Sequence, residues 1–405
     1  MKILFLIESL PFSNTISGVR IKEIIKYLIN GGWEVFSFSV LNKHFFRKPL
    51  YEKKTNKFKF FVCSGKAYKD NDFTLKKFLY KLLITPRAIR YLVNVIKRYD
   101  IKKIWVSTPR VYPLFVAYII KLLNINKDVE VILEYRDTWS LNEVNNFSKS
   151  KRYILFNIEK ILIRRVDKFI FATDLVKETY VKNFNRINKN IDSGLVLYMG
   201  FNPEYYKYDS LHNDNLNNKD KLIFTYAGSF YKTRNPLFFL KTMSELINKN
   251  EINSDDVRIR FVLNYCEEKI YNNIMDMIEK GNIQKNVEII EAVPHKQVID
   301  YLEESDILLL ISHQAGSKDA LPGKFSEYVG ARKNILAISN DPLVKDAIKS
   351  DRLGWVCSCE DSKALSDIIC EIYKKWENGS LEFKGNSEKY SIDERFKELN
   401  SFLLI

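Results

Sequence analysis

Three loops in this 405-residue chain combine glycine, a helix start and a basic side chain, the residue types that hold a phosphate. In "LPGKFSEYVGARKNILAI" (321–338), Pro322, Gly323 and Lys324 precede an amphipathic run with one carboxylate, Glu327. A helix N-terminus offers unbonded N–H groups and partial positive charge to an anion. A Lys or Arg beside it adds a charge-assisted hydrogen bond of about 1.5–3 kcal/mol. Lys324 and Glu327 stand one turn apart and project near the same face. Two readings are open: a surface ion pair, or Lys324 on a diphosphate with Glu327 accepting from ribose hydroxyls. "FTYAGSFYKTRNPLFFL" places Gly228, Ser229, Lys232 and Arg234 after an apolar run, and "NTISGVRIKEIIKYL" places Gly18 and Arg20 at the start of a helical one. Taken singly, each loop also reads as a tight turn. None has the G-x-G-x-x-G or P-loop pattern, which disfavours dinucleotide and ATPase chemistry.

Such loops need elements to hold them. Strand-like runs alternate with helical patterns from end to end, which predicts parallel sheets built from βαβ units. In the first half, strands are expected at Lys2–Ile7, Glu34–Val40, Lys103–Ser107, Glu130–Glu134, Lys168–Ala172 and Gly194–Tyr198, with helical runs between them. Residues 202–221 are polar, Asn-rich and poor in branched apolars, so they read as a linker. Beyond it, strands are expected at Leu222–Ala227, Arg258–Leu263, Val287–Ile290, Ile307–Ile311, Ile335–Ile338 and Leu353–Cys357. The pattern predicts two doubly wound α/β domains facing a central cleft, with ligands beyond the carboxyl ends of the strands.

Composition narrows the classes. An apolar share of 46% with 14% aromatics is enough for two cores, and excludes a disordered chain. The N-terminal apolar run Ile3–Ile7 is shorter than a signal-peptide core and no small-residue cleavage site follows, so it reads as a buried strand. Val111–Ile120 falls short of the roughly 20 residues that cross a bilayer. Five scattered cysteines with no neighbouring His or Cys cluster read as reduced thiols. Asp70-Asn71-Asp72 has an Asp-x-Asp form but lies in a charged, poorly periodic stretch, and His44, His212, His295 and His313 show no ligand spacing. No metal or other cofactor is therefore expected. The net charge of +14 is local: residues 43–103 hold 18 Lys and Arg against Glu52, Asp70, Asp72 and Asp100. Interleaved with Phe and Tyr, that window suits an anionic membrane surface or is a solvated basic face. No nucleic-acid motif accompanies it.

The stretch 321–338 resembles the donor-site loop and helix of retaining glycosyltransferases of the family-4 kind, which have the GT-B fold. Those enzymes carry two acidic residues separated by seven others there; Asp319 and Glu327 have that spacing, with Asp where Glu is usual first. "YAGSFYKTRNP" resembles the family's loop with two basic diphosphate ligands: Arg234 takes the second place, Ser229 replaces the usual first Arg, and Lys232 is its substitute. "SGVRIKEIIKYLINGGWEVFSFSV" resembles the N-terminal glycine loop, helix and following strand. "LEYRDTW" (133–139) is similar to the Asp-x-Arg-Asp-x-Trp stretch of bacterial surface-polysaccharide members, with Glu134 for the first Asp. "VEIIEAVPHKQVIDYLEESDILLLIS" also fits, and "SEKYSIDERFKELNSFL" resembles the terminal helix that crosses back to the first domain. "FVLNYCEEK" departs from the family by lacking the Gly-rich turn usual after that strand.

The resemblance implies transfer of a sugar from a UDP- or GDP-sugar with retention at the anomeric carbon. It assigns Lys232, Arg234 and Lys324 to the diphosphate, Gly18 and Gly228 to close backbone approach, Ser229 and Gly323 to the donor loops, Glu327 to the ribose and Asp319 to donor-sugar hydroxyls. Arg20, Arg136 and Asp137 fall on the acceptor side, with Asp137 orienting or deprotonating the acceptor. Asp137 also reads as a helix cap and Arg136 as a partner of an acid inside the fold. The implied domains are 1–201 for the acceptor, a linker at 202–221, and 222–385 for the nucleotide sugar, with residues 386–405 packing back on the first. Together these predict a metal-independent glycosyltransferase in bacterial capsule or O-antigen assembly. It would be cytoplasmic and peripheral to the inner face of the plasma membrane, acting on a lipid-linked saccharide. An epimerase of the same shape, or a non-enzymatic basic module binding membrane or nucleic acid, are the rival readings.

Overall fold

A computed structural model describes the chain apart from residues 8–15, 42–51, 55–57, 65–85, 87–88, 108–110, 124–127, 143–146, 209–219 and 313–320. The chain forms two compact units, residues 1–198 with 396–405, and residues 199–395. Asp70, Asp72, His44, His212, His313, Asp319 and most of the basic aromatic window lie outside the described residues.

The first unit carries strands β1 (Lys2–Ile7), β2 (Glu34–Leu41), β3 (Glu52–Lys54), β4 (Phe58–Ser64), β5 (Lys103–Ser107), β6 (Glu130–Tyr135), β7 (Lys168–Phe171) and β8 (Leu195–Val196). They form one sheet in the order β3-β4-β2-β1-β5-β6-β7-β8, parallel except for β3. Helices α1 (Ile16–Asn30), α2 (89–99), α3 (Val111–Leu122), α4 (Lys149–Ile163) and α5 (Asp174–Phe184) connect the strands. The sequence reading omitted β3 and β4. Strand β4 (FKFFVCS) is apolar but lies in a strongly basic stretch, and that charge drew the reading toward a surface.

The second unit carries β9 (Leu222–Phe230), β10 (Val257–Cys266), β11 (Val287–Ile290), β12 (Ile307–Ile311), β13 (Asn334–Ile338) and β14 (Gly354–Cys357) in the order β11-β10-β9-β12-β13-β14, all parallel. Its helices are α6 (Leu237–Asn248), α7 (Glu268–Lys280), α8 (His295–Glu304), α9 (Gly323–Gly330), α10 (Pro342–Ser350) and α11 (Ser362–Glu377); α12 (Ile392–Phe396) straddles the boundary and α13 (Leu399–Leu404) belongs to the first unit. Every residue of β12 and β13 is buried, as expected of parallel strands covered on both faces. Counted from β9, the sheet order is the doubly wound 3-2-1-4-5-6, whose direction reverses between β9 and β12, the point beyond which ligands bind. The first sheet reverses likewise between β1 and β5.

Two boundaries differ from the sequence reading. Residues 202–208, read as the start of a linker, fold onto the second unit: the Tyr206 and Tyr208 hydroxyls donate to the Glu327 and Gly330 carbonyls, each at 2.9 Å. Their rings stack on each other at 5.7 Å. The polar composition concealed tyrosines, whose apolar bodies bury while their tips bond. At the other end, residues 386–395 stay with the second unit, where Tyr390 bonds Asp351 and packs on Phe325. Only residues 396–405 return to the first, through the Tyr27–Phe396 ring contact and a Trp33 Nε1 bond to Asn400 Oδ1 at 3.0 Å.

Candidate functional site

The candidate site lies in the second unit, where the chain leaves β9 and β12 at the reversal of strand order. Strand β9 reaches Gly228 at φ +142°, a conformation that an L side chain rarely adopts. The next residues close a tight turn in which Tyr231 and Arg234 exchange backbone hydrogen bonds of 2.9 and 3.0 Å. That turn folds Arg234 back, so its Nε donates to the Ser229 carbonyl at 3.2 Å and its guanidinium lies 5.3 Å from the Tyr231 ring centre. Lys232 is exposed at the tip, its amide donating to Glu267 Oε2 at 3.1 Å.

From the other side of the reversal, α9 begins at Gly323 with Pro322 as its cap and no side-chain cap. Lys324 in its first turn points its Nζ to within 3.8 Å of the Tyr226 ring centre, into space that a Cβ on Gly228 would occupy. The nitrogen is buried and makes no hydrogen bond among the described residues. Burial drives the ammonium well below the ordinary lysine range, and the Arg234 charge lowers it further, against the opposing pull of Glu327. Burying a cation without a hydrogen-bonded partner is costly, and an anion seated against it offsets that cost. One turn on, Glu327 Oε1 sits 2.9 Å from His295 Nε2, at the first residue of α8, and the His295 ring meets Tyr205 edge-on at 5.6 Å. Helix α9 is fixed from several sides. Ser326 Oγ donates to the Met199 carbonyl at 3.0 Å, the Tyr206 and Tyr208 hydroxyls hold two of its carbonyls, and Tyr328 Oη accepts from the Ala227 amide of β9 at 2.9 Å.

Gly228, Ser229, Arg234, Gly323, Lys324 and Glu327, named from the sequence, thus come together in one unit. His295 and Tyr226 were missed: the sequence reading tested His295 for metal spacing only, and Tyr226 looked like a core strand residue. A helix-start histidine following a strand was the available signal. Among the described residues no group of three or more His, Cys, Asp and Glu could hold a metal.

In the first unit, Gly18 is buried in α1. Arg20 is corrected from the acceptor side to an internal role. It is buried, its Nε bonding Glu134 Oε1 at 2.6 Å and its guanidinium donating to the Leu197 carbonyl at 2.7 Å. Burial pushes the Glu134 carboxyl up, but the charges of Arg20 and Arg136 outweigh it and hold the group below its ordinary value. Arg136 lies just beyond β6, between Glu134 and Asp137 in sequence. Asp137 is exposed just beyond β6, in a loop whose backbone is held from behind: the Trp139 amide donates to Tyr180 Oη at 3.1 Å and the Ser140 amide to Glu159 Oε2 at 3.2 Å. Removing one partner of a buried pair costs about 3–5 kcal/mol. Arg20→Met should therefore lower Tm by roughly 10 °C, whereas an unchanged melt would place Glu134 in water.

Residues 207–389 match the family model described as Glycosyl transferases group 1. No curated protein sequence matches the chain. Among solved structures, sucrose-phosphate synthase from Thermosynechococcus elongatus is similar over 100% of this chain and 98% of its own, with a TM-score of 0.67 at 12% identity. A glycosyltransferase from Rickettsia africae gives 0.65 at 14% identity over 99% and 97%. Anabaena Alr3699/HepE, solved in complex with UDP and glucose, gives 0.64 at 12% identity over 100% and 99%. The fold is GT-B: two Rossmann-like α/β domains.

Proposed function

We propose that this chain is a glycosyltransferase that takes a sugar from a nucleoside diphosphate sugar. The observation that carries the reading is the buried Lys324 ammonium, with no hydrogen-bond partner among the described residues, in the room left by Gly228, with Arg234 close enough to depress it further. The match of residues 207–389 to the group 1 family model supports it, as does the binding of UDP and glucose by a structure of the same fold. Lys324 and Arg234 receive the departing diphosphate, with exposed Lys232 reaching its outer oxygens. Glu327, oriented by His295, accepts from the ribose hydroxyls, and Asp319 is assigned to the donor sugar.

Departure of the diphosphate leaves an oxocarbenium-like sugar, so catalysis rests on prearranged cations and on position rather than on a strong nucleophile. The charge that meets the leaving group in this reading comes from Lys324 and Arg234, without a metal. Asp137, exposed at a strand end, is the group we assign to the acceptor hydroxyl. We further propose retention of anomeric configuration and a saccharide acceptor carried on a lipid diphosphate at the inner face of a bacterial plasma membrane, in surface-polysaccharide assembly.

The test is thermal shift with UDP, GDP, ADP and CMP and their sugar conjugates. A ligand at about 100 times its Kd adds roughly 2.7 kcal/mol, several degrees in a domain of this size. One nucleoside diphosphate should raise Tm selectively, and turnover of its sugar conjugate should require an added acceptor. No shift with any of them sinks the reading; turnover without acceptor would make the enzyme an epimerase.

A further inference from the structure

We infer that α4 seats the first unit on an anionic phospholipid bilayer, a surface distinct from the basic window singled out in the sequence. The inner face of this helix is conventional: Glu159, Leu162 and Ile163 are buried, and the Phe156 ring packs on Phe184 at 4.8 Å. The outer face is not. Tyr153, Ile154, Ile158 and Ile161 are 71%, 57%, 37% and 47% exposed. At 100° per residue these four side chains share one side of the helix, opposite the buried stripe. Scattered exposed apolars are ordinary on a soluble protein, but a clustered set marks an interaction surface.

The charge around the cluster identifies its partner. Residues 149–165 hold Lys149, Lys151, Arg152, Lys160, Arg164 and Arg165, and their one acid, Glu159, is turned inward. By the same helical geometry Lys149, Lys160 and Arg164 flank the apolar side chains on one edge and Lys151 and Arg165 on the other. The Lys151 and Lys160 Nζ atoms lie over the Phe147 and Phe156 rings at 4.3 and 4.4 Å, so cation and aromatic surface are interleaved along this side of the helix. An apolar stripe between two basic edges is the form of a helix that lies in a membrane interface. A second copy of this face would set cation against cation, which disfavours a dimer here. No helix among the described residues is long and apolar enough to cross a membrane, so seating at the surface is the mode this helix offers. Its inner face also matters: Glu159 accepts from Tyr135, Tyr180 and the Ser140 amide, so α4 is tied directly to the loop that carries Asp137.

This deepens the proposed function, resting on its lipid-borne acceptor, but it is tested without turnover. The full chain is sedimented with phosphatidylcholine vesicles with and without phosphatidylglycerol. Binding is expected to the mixed vesicles only, and Tyr153→Trp should shift its emission to the blue on binding. Arg164→Glu/Arg165→Glu and, separately, Ile154→Ser/Ile158→Ser should each weaken binding roughly tenfold or more. Both double variants should melt as the parent does and keep the nucleotide-induced shift, which separates failure of this surface from failure of the donor site. Absence of binding to the mixed vesicles, or binding undiminished by both double variants, overturns the inference. Self-association that the same variants abolish also overturns it, giving the face to a second copy.

Discussion

Lys324→Met should lower turnover by roughly 10²–10³-fold, the usual loss for one prearranged group facing developing charge, and should leave the empty protein more stable at neutral pH. The two effects have one cause. The folded-state value of the ammonium lies well below the ordinary 10.5 because the nitrogen is buried beside Arg234. Below that folded value the group is charged in both states and its burial cost is fully present; as pH rises from there towards 10.5 the cost fades. Melting curves of parent and variant should therefore differ at neutral pH and converge at alkaline pH, with the variant the more stable of the two. A bound diphosphate raises the lysine again, so at a pH above its value in the empty protein nucleotide binding should take up a proton, seen as a buffer-dependent heat in calorimetry. A variant of full activity, or one less stable than the parent at neutral pH, would remove Lys324 from the site.

Gly228→Ala should have a comparable effect through a residue that has no functional group. The added Cβ falls on the Lys324 Nζ and Cε atoms, and φ of +142° is strained for alanine. The loss of stability expected is about 1–3 kcal/mol, together with at least a hundredfold drop in turnover and loss of the nucleotide-induced shift. Shortening the lysine as well separates the causes. In Gly228→Ala/Lys324→Ala the clash disappears, so stability should recover in part with a coupling of about 0.5–3 kcal/mol, while activity stays lost. If Gly228→Ala alone binds nucleotide as the parent does, the space above that glycine is not the phosphate seat.

Much of this was legible in the sequence where the signal was local. Continuous apolar runs such as Ile307–Ile311 gave buried parallel strands, and the loops holding Gly228, Arg234 and Lys324 stood out as glycine and cation beside a helix start. What fills the room above Gly228 was not legible, because the lysine that enters it lies on a helix 96 residues further on. The same distance problem hid the His295–Glu327 contact, made between two separate helices, the first residue of α8 and the second turn of α9. Arg20 misled in the other direction. An arginine near a helix start reads as a ligand for an anion, and the anion turned out to be Glu134, 114 residues away. Charge run by charge run, sequence shows what a side chain offers; the fold decides which neighbour accepts it.

The clamp between residues 199–208 and α9 bears on how such enzymes can be recombined. The halves of a two-unit protein invite exchange, and the polar stretch ahead of Leu222 is the obvious splice point. A chimera joined there would take its segment 199–208 from another parent. It would put the Tyr206 and Tyr208 hydroxyls that hold the Glu327 and Gly330 carbonyls at the mercy of the other parent's side chains. The transplanted half would carry its lysine and glutamate on a helix cut loose along one side. The module that can be inherited or engineered as one piece is Met199–Arg395, and a shuffled library should be cut at its two ends.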